Sequence, residues 1–177
     1  MKRFFYIQIL NQFTIMKNFL LFLSIGILLS CETTEIENSA GYHMDGSNYI
    51  LGSDEDNQIA MDLVIAYADK NIDYMVEMMA DSVTYAPPSG GMSMTMSNDQ
   101  VRDIVMQLHS PYDSINRTIW NSVPLIRKGT DFTRVTVAFS ESRFLKDGTQ
   151  ENLRIIDRIF IRDGKIFRVN QWDAEME

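Results

Sequence analysis

The chain is 177 residues long and acidic, with 24 Asp and Glu against 16 Lys and Arg, a formal net charge of −8 and a single cysteine. That charge repels phosphate backbones and anionic lipid heads, which excludes nucleic acid as a partner. A lone cysteine excludes an internal disulfide, and the length allows one domain with short additions.

Residues 17–31 read KNFLLFLSIGILLSC. One lysine precedes an apolar run from Phe19 to Leu29, shorter than the roughly twenty residues a membrane span needs and suited to a signal-peptide core. The tetrapeptide Leu28-Leu29-Ser30-Cys31 resembles the bacterial lipobox, with an aliphatic residue, a small residue and then cysteine. The resemblance implies a signal peptide over residues 1–30, cleavage before Cys31 and lipidation of its thiol. It also implies a chain anchored to the bilayer of the bacterial cell envelope, facing the periplasm or on the outer membrane. An ordinary secretory signal with an incidental cysteine is the alternative. With no disulfide partner, Cys31 has lipidation as its most economical use in an oxidising compartment. Met16-Lys17-Asn18 begins a complete signal by itself, so the start is Met16 or a longer signal begins at Met1, and both leave the same mature chain.

From Cys31 onward 147 residues remain, with 24 acidic and 13 basic side chains and a net charge of −11. Residues 31–56 are polar, acidic and without sustained periodicity, and are expected to form a flexible tether. The domain is expected over residues 57–177. Ile59, Leu63, Ala66 and Tyr67 share a helical face, and Asn71-Ile72 restarts the pattern as a second helix up to residue 79. A short strand, Ser82 to Ala86, runs into the breaker Pro87-Pro88-Ser89-Gly90-Gly91. Ser97 caps a third helix, with Gln100 placed as in a capping box and Val101, Ile104, Val105 and Leu108 as the apolar stripe. The period then changes to two, with strands expected at 115–126, 131–145, 152–162 and 165–173. Asp147-Gly148 and Asp163-Gly164 join the last three as hairpins. Helices first and an antiparallel meander afterwards define an α+β class with the helices on one sheet face.

This order resembles the nuclear transport factor two-like superfamily, which includes ketosteroid isomerase and the SnoaL-like polyketide cyclases. Ala68 to Val83 resembles the segment running from the family's second helix into its first strand. Asp163-Gly164-Lys165-Ile166 through Gln171-Trp172-Asp173 resembles its closing hairpin. The likeness covers about residues 57–174. It implies a cone-shaped fold, three N-terminal helices on a curved antiparallel sheet, with a pocket between the two. Tyr85, Phe139, Ile155, Ile159, Phe167, Val169 and Gln171 are then the expected pocket lining.

One acid stands out independently of the resemblance. Alternation in the strand at 152–162 puts Leu153, Ile155, Asp157, Ile159 and Ile161 on one face. An ionised carboxylate among aliphatic neighbours is costly unless paired, so Asp157 is expected to hold a proton or find a donor. A functional site and a structural hydrogen bond explain it equally well. Against ketosteroid isomerase, Asp157 falls where that family holds its protonated oxyanion-hole aspartate. The family's general base falls on Pro87 and its oxyanion tyrosine near Leu63, so that activity is not expected. Some SnoaL-like cyclases place an acid on the equivalent strand, which leaves acid/base chemistry open with Asp157 as the catalytic residue.

His109, at the end of the third helix, suits the helix dipole as a cation. His43 lies in the tether and, with His109 so distant, gives no zinc signature. Met92, Met94 and Met96 alternate, and the choice there is between copper binding and an adaptable apolar opening. No nucleophile motif, phosphate loop or dinucleotide fingerprint appears, and no metal or cofactor is expected. Ile156, Phe160 and Trp172 make the outer face unusually apolar; the resemblance implies that this face pairs two copies as a homodimer, and burial of the edge by a C-terminal segment is the alternative. Three functions remain open: binding a small, mostly apolar ligand; an isomerase, cyclase or lyase working through Asp157; or a structural protein whose pocket is filled.

Overall fold

The structure, a computed structural model, describes residues 39–88 and 90–176. Cys31 and the segment read as a signal peptide lie outside the described residues. Among the described residues eight strands form one sheet, with three helices packed on it. In chain order these are β1 (Gly41–Tyr42), β2 (Asn48–Leu51), α1 (Asp54–Ala68), α2 (Ile72–Met78), β3 (Met79–Ala86) and β4 (Met94–Ser97). They continue with α3 (Asn98–His109), β5 (Tyr112–Arg127), β6 (Thr133–Leu145), β7 (Gln150–Arg162) and β8 (Lys165–Glu175). The sheet order is β1-β2-β5-β6-β7-β8-β3-β4, antiparallel throughout except for β3 beside β8. The class is therefore α+β, with three helices on an open, curved, mostly antiparallel sheet.

Residues 41–56, expected as tether, are built into the domain. The β1–β2 hairpin pairs with the end of β5, Tyr49 opposite Arg127. Tyr49 is buried, its ring lies under the Arg134 guanidinium at 4.6 Å and its hydroxyl accepts from Arg134 Nη1 at 3.1 Å. Helix α1 also begins earlier than expected. Ser53 caps it by accepting from the Asp56 amide at 3.1 Å, and Asp54, Glu55 and Asp56 fill its first turn. Three acids at a helix N-terminus favour the macrodipole, a start signal that a reading of apolar spacing passes over.

The core lies between the helices and the inner face of the long strands. Ala60, Leu63, Val64 and Ala66 of α1 meet Val135, Val137 and Phe139 of β6 and Ile155, Ile159 and Ile161 of β7. Helix α3 starts at the capping box expected, with Gln100 Oε1 accepting from the Ser97 amide at 3.0 Å. The β7–β8 turn places both Asp163 (φ 51°) and Gly164 (φ 71°) in the left-handed region. A two-residue hairpin of the primed type needs both, and Arg162 accordingly pairs with Lys165 across it.

Candidate functional site

A cavity of about 390 Å³ opens between the helices and the inner sheet face. It is not filled by side chains, which counts against the filled-pocket function. Its walls are mainly apolar: Leu63 and Val64 from α1, Val101, Ile104, Val105 and Leu108 from α3, and Val83 from β3. Met75, Met79, Met94 and Met96 add four thioether side chains to the lining, while Met92 stands 93% exposed and takes no part. Flexible methionines at these places give a wall that adapts to different shapes.

Two polar groups interrupt that wall. The first is a chain of hydrogen bonds across three strands. Tyr85 on β3 donates its hydroxyl to Gln171 Oε1 at 3.0 Å, and Gln171 Nε2 on β8 donates to Asp157 Oδ1 on β7 at 2.9 Å. Register creates this chain. Asp157 sits opposite Gln171 in the β7–β8 ladder, and the parallel β3–β8 pairing sets Tyr85 opposite Val169. Asp157 is 4% exposed. Burial raises its pKa to about 6, while the Arg117 charge and the Gln171 hydrogen bond pull it down. Burial, and then the Asp157 charge, hold the Tyr85 phenol above its ordinary value, so it stays protonated and acts as a donor.

The second group went unread in the sequence. Glu141 on β6 is fully buried and sits between two guanidinium groups. Arg117 Nε on β5 donates to its Oε2 at 2.5 Å, and Arg143 Nε on β6 donates to its Oε1. Arg117 Nη1 also donates to the Val64 carbonyl at 3.0 Å, and its guanidinium lies 4.3 Å from the Tyr67 ring and 4.7 Å from the Phe139 ring. Both arginines line the cavity. The signal that finds Glu141 is the one that found Asp157: it occupies the inner phase of an alternating strand, after Val135, Val137 and Phe139.

Of the residues expected to line the pocket, Tyr85, Val169 and Gln171 do so together with Asp157. Phe139, Ile155 and Ile159 are wholly buried in the core and do not reach the cavity. Phe167 is on the other side of the sheet. Phe160 pairs with Arg168 but Ile161 with Ile166, so Phe167 is the extra residue of a β-bulge and Ile166 takes its inner place. A bulge shifts the two-residue alternation by one, which strict counting back from Gln171 cannot show. Phe167 instead meets Phe132 at 5.7 Å and Phe160 at 6.1 Å between ring centroids.

His109 also departs from expectation. It is 6% exposed, its ring 4.4 Å from that of Tyr67, and burial followed by the Lys70 charge lowers its pKa. Desolvation works against a charged imidazole at this place, so the buried ring is a poorer helix-capping cation than its position in the sequence suggests.

No family model matches the chain, and no curated protein matches it. Solved structures do match. An LEH-like epoxide hydrolase of M. tuberculosis is 9% identical over 68% of this chain and 83% of its own, with a TM-score of 0.54. A protein of Catenulispora acidiphila with a ketosteroid isomerase-like fold, in complex with trimethylamine, is 18% identical over 65% and 84%, with a TM-score of 0.53. A nuclear transport factor two-like protein of Burkholderia pseudomallei, of unknown function, is 12% identical over 70% and 92%, with a TM-score of 0.56. The fold of this chain is thus the nuclear transport factor two-like fold.

Proposed function

We propose that this chain is a lipid-anchored envelope protein whose single domain binds a small, mostly apolar ligand. The observation that carries the binding reading is the open cavity of about 390 Å³, walled by aliphatic and methionine side chains with a few polar groups. Pockets of this size and lining are characteristic of small-molecule sites. The neutral dye N-phenyl-1-naphthylamine is expected to bind saturably, one per chain, with enhanced fluorescence. Val105→Trp, which projects an indole into the cavity from α3, is expected to abolish that signal in a folded protein. A native protein that binds no apolar probe saturably sinks the reading.

Anchoring rests on the lipobox and the lone Cys31. Intact mass is expected to show a chain beginning at Cys31 and carrying lipid, and Cys31→Ala to leave it uncleaved or soluble. The homodimer rests on the outer face, where Ile156 and Trp172 are 46% and 45% exposed. The Arg158 guanidinium stacks at 5.0 Å on the Trp172 ring, a pairing common in interface anchors. Sedimentation of the same preparation is expected to give twice the chain mass.

One observation favours a second reading, an isomerase, cyclase or lyase. Asp157 titrates near pH 6, within the range where a carboxyl both gives and takes a proton. Its hydrogen-bond partner Gln171 does not titrate and Tyr85, the next link of that chain, is held protonated, so neither offers a second base, which keeps ligand binding first.

A further inference from the structure

The cavity has a polar end built on an ion group. Glu141 carries one negative charge and is shared by two positive ones, Arg117 and Arg143. Arg117 uses Nε for Glu141 and Nη1 for the Val64 carbonyl, and Arg143 uses Nε for Glu141 and Nη1 toward Glu151 at 3.6 Å. The Nη2 group of each has no partner among the described residues and is not an enclosed orphan. Arg117 is only 5% exposed at its side chain and lines the cavity, so its free edge opens there.

We propose that this end makes the ligand an apolar monocarboxylate, its carboxylate held by the free Nη2 edges of Arg117 and Arg143 and its hydrocarbon body against the methionine and α3 walls. The proposal rests on the ligand-binding reading above and names its substrate class. A guanidinium edge matches the planar carboxylate and donates two parallel hydrogen bonds to it. The surrounding apolar wall strengthens that attraction and leaves no place for a second charged group on the ligand.

Asp157 is the competitor. The groups that face it are Arg117 from β5, Glu141 and Arg143 from β6, Gln171 and Asp173 from β8, and Tyr85 and Tyr67 from β3 and α1. The α2, α3 and β4 walls are apolar. The charge of Arg117 favours ionised Asp157, so a ligand carboxylate and that ion draw on the same cation. Binding a carboxylate therefore favours the protonated form of Asp157, and removing the Asp157 charge favours the ligand.

The test is a calorimetric titration of the full-length protein at pH 8 with octanoate, octanol and octylamine. Octanoate is expected to bind about tenfold tighter than octanol, and octylamine more weakly than either. Arg143→Met, at the more exposed arginine, is expected to lose about that tenfold for octanoate and change octanol little. Asp157→Asn, which keeps the fold, is expected to tighten octanoate about fivefold to tenfold. Octanol or octylamine binding as tightly as octanoate overturns the carboxylate claim while leaving the pocket reading intact, and so does weaker octanoate binding by Asp157→Asn. If no probe binds, the pocket reading itself has failed.

Discussion

Asp157→Asn is expected to stabilise the protein by about 3 kcal/mol at pH 8 and to change its stability little at pH 4. The folded carboxyl titrates near 6 against 3.8 for the free group, because burial disfavours the anion more than Arg117 and Gln171 favour it. A raised folded value means the native state holds this proton more tightly than the unfolded chain does. The resulting stability is fully present below pH 3.8, declines as pH rises and is lost above about 6. A shift of roughly two units corresponds to about 3 kcal/mol. Asparagine keeps the shape, still accepts from Gln171 through its carbonyl, and carries no charge to desolvate. Subtracting the variant's denaturant-derived stability from that of the parent, pH by pH, isolates this one titration from all others. A variant less stable than the parent at pH 8 would mean that the carboxylate is ionised and firmly held by a cation, leaving Asp157 a structural residue. Should a reaction be found, the same variant is expected to lose turnover with ligand binding retained.

The largest loss is expected from Glu141→Gln, about 3–5 kcal/mol by urea unfolding. The change is nearly isosteric, so packing alone predicts almost no effect. What it removes is the carboxylate shared by two guanidinium groups at the wall of an apolar cavity. Arg117 is almost wholly enclosed and cannot turn to bulk water, so its charge is left with an amide, the Val64 carbonyl and two aromatic faces. Removing Arg143 as well relieves part of the repulsion. The double variant Glu141→Gln/Arg143→Met is therefore expected to lose less than the sum of the two single changes. A cost under about 1 kcal/mol for Glu141→Gln would show that the ion group is not formed as described.

Periodicity and turn chemistry by themselves determined the order of elements from α1 to β8 with the exception of β4, the cap of α3, the two closing hairpins and the inward face of Asp157. Those features are local: a helical or alternating spacing, a cap and a two-residue turn depend on residues within a few positions of one another. The β1–β2 hairpin escaped because Gly41–Tyr42 and Asn48–Leu51 are too short to show a period, and only the edge of β5 gives them a partner. Phe167 was misplaced because one extra residue in a ladder reverses every face beyond it. The site itself was decided only by tertiary structure. Tyr85 meets Gln171 because β3 runs parallel to β8, and Arg117 meets Glu141 because the β5–β6 register puts them side by side. No spacing along the chain encodes either meeting, since each depends on which strands pair and in which register. Sequence alone showed a buried acid; the pairing of five strands turned it into one wall of a cavity whose opposite charge, on Arg117 and Arg143, was not legible until the sheet had formed.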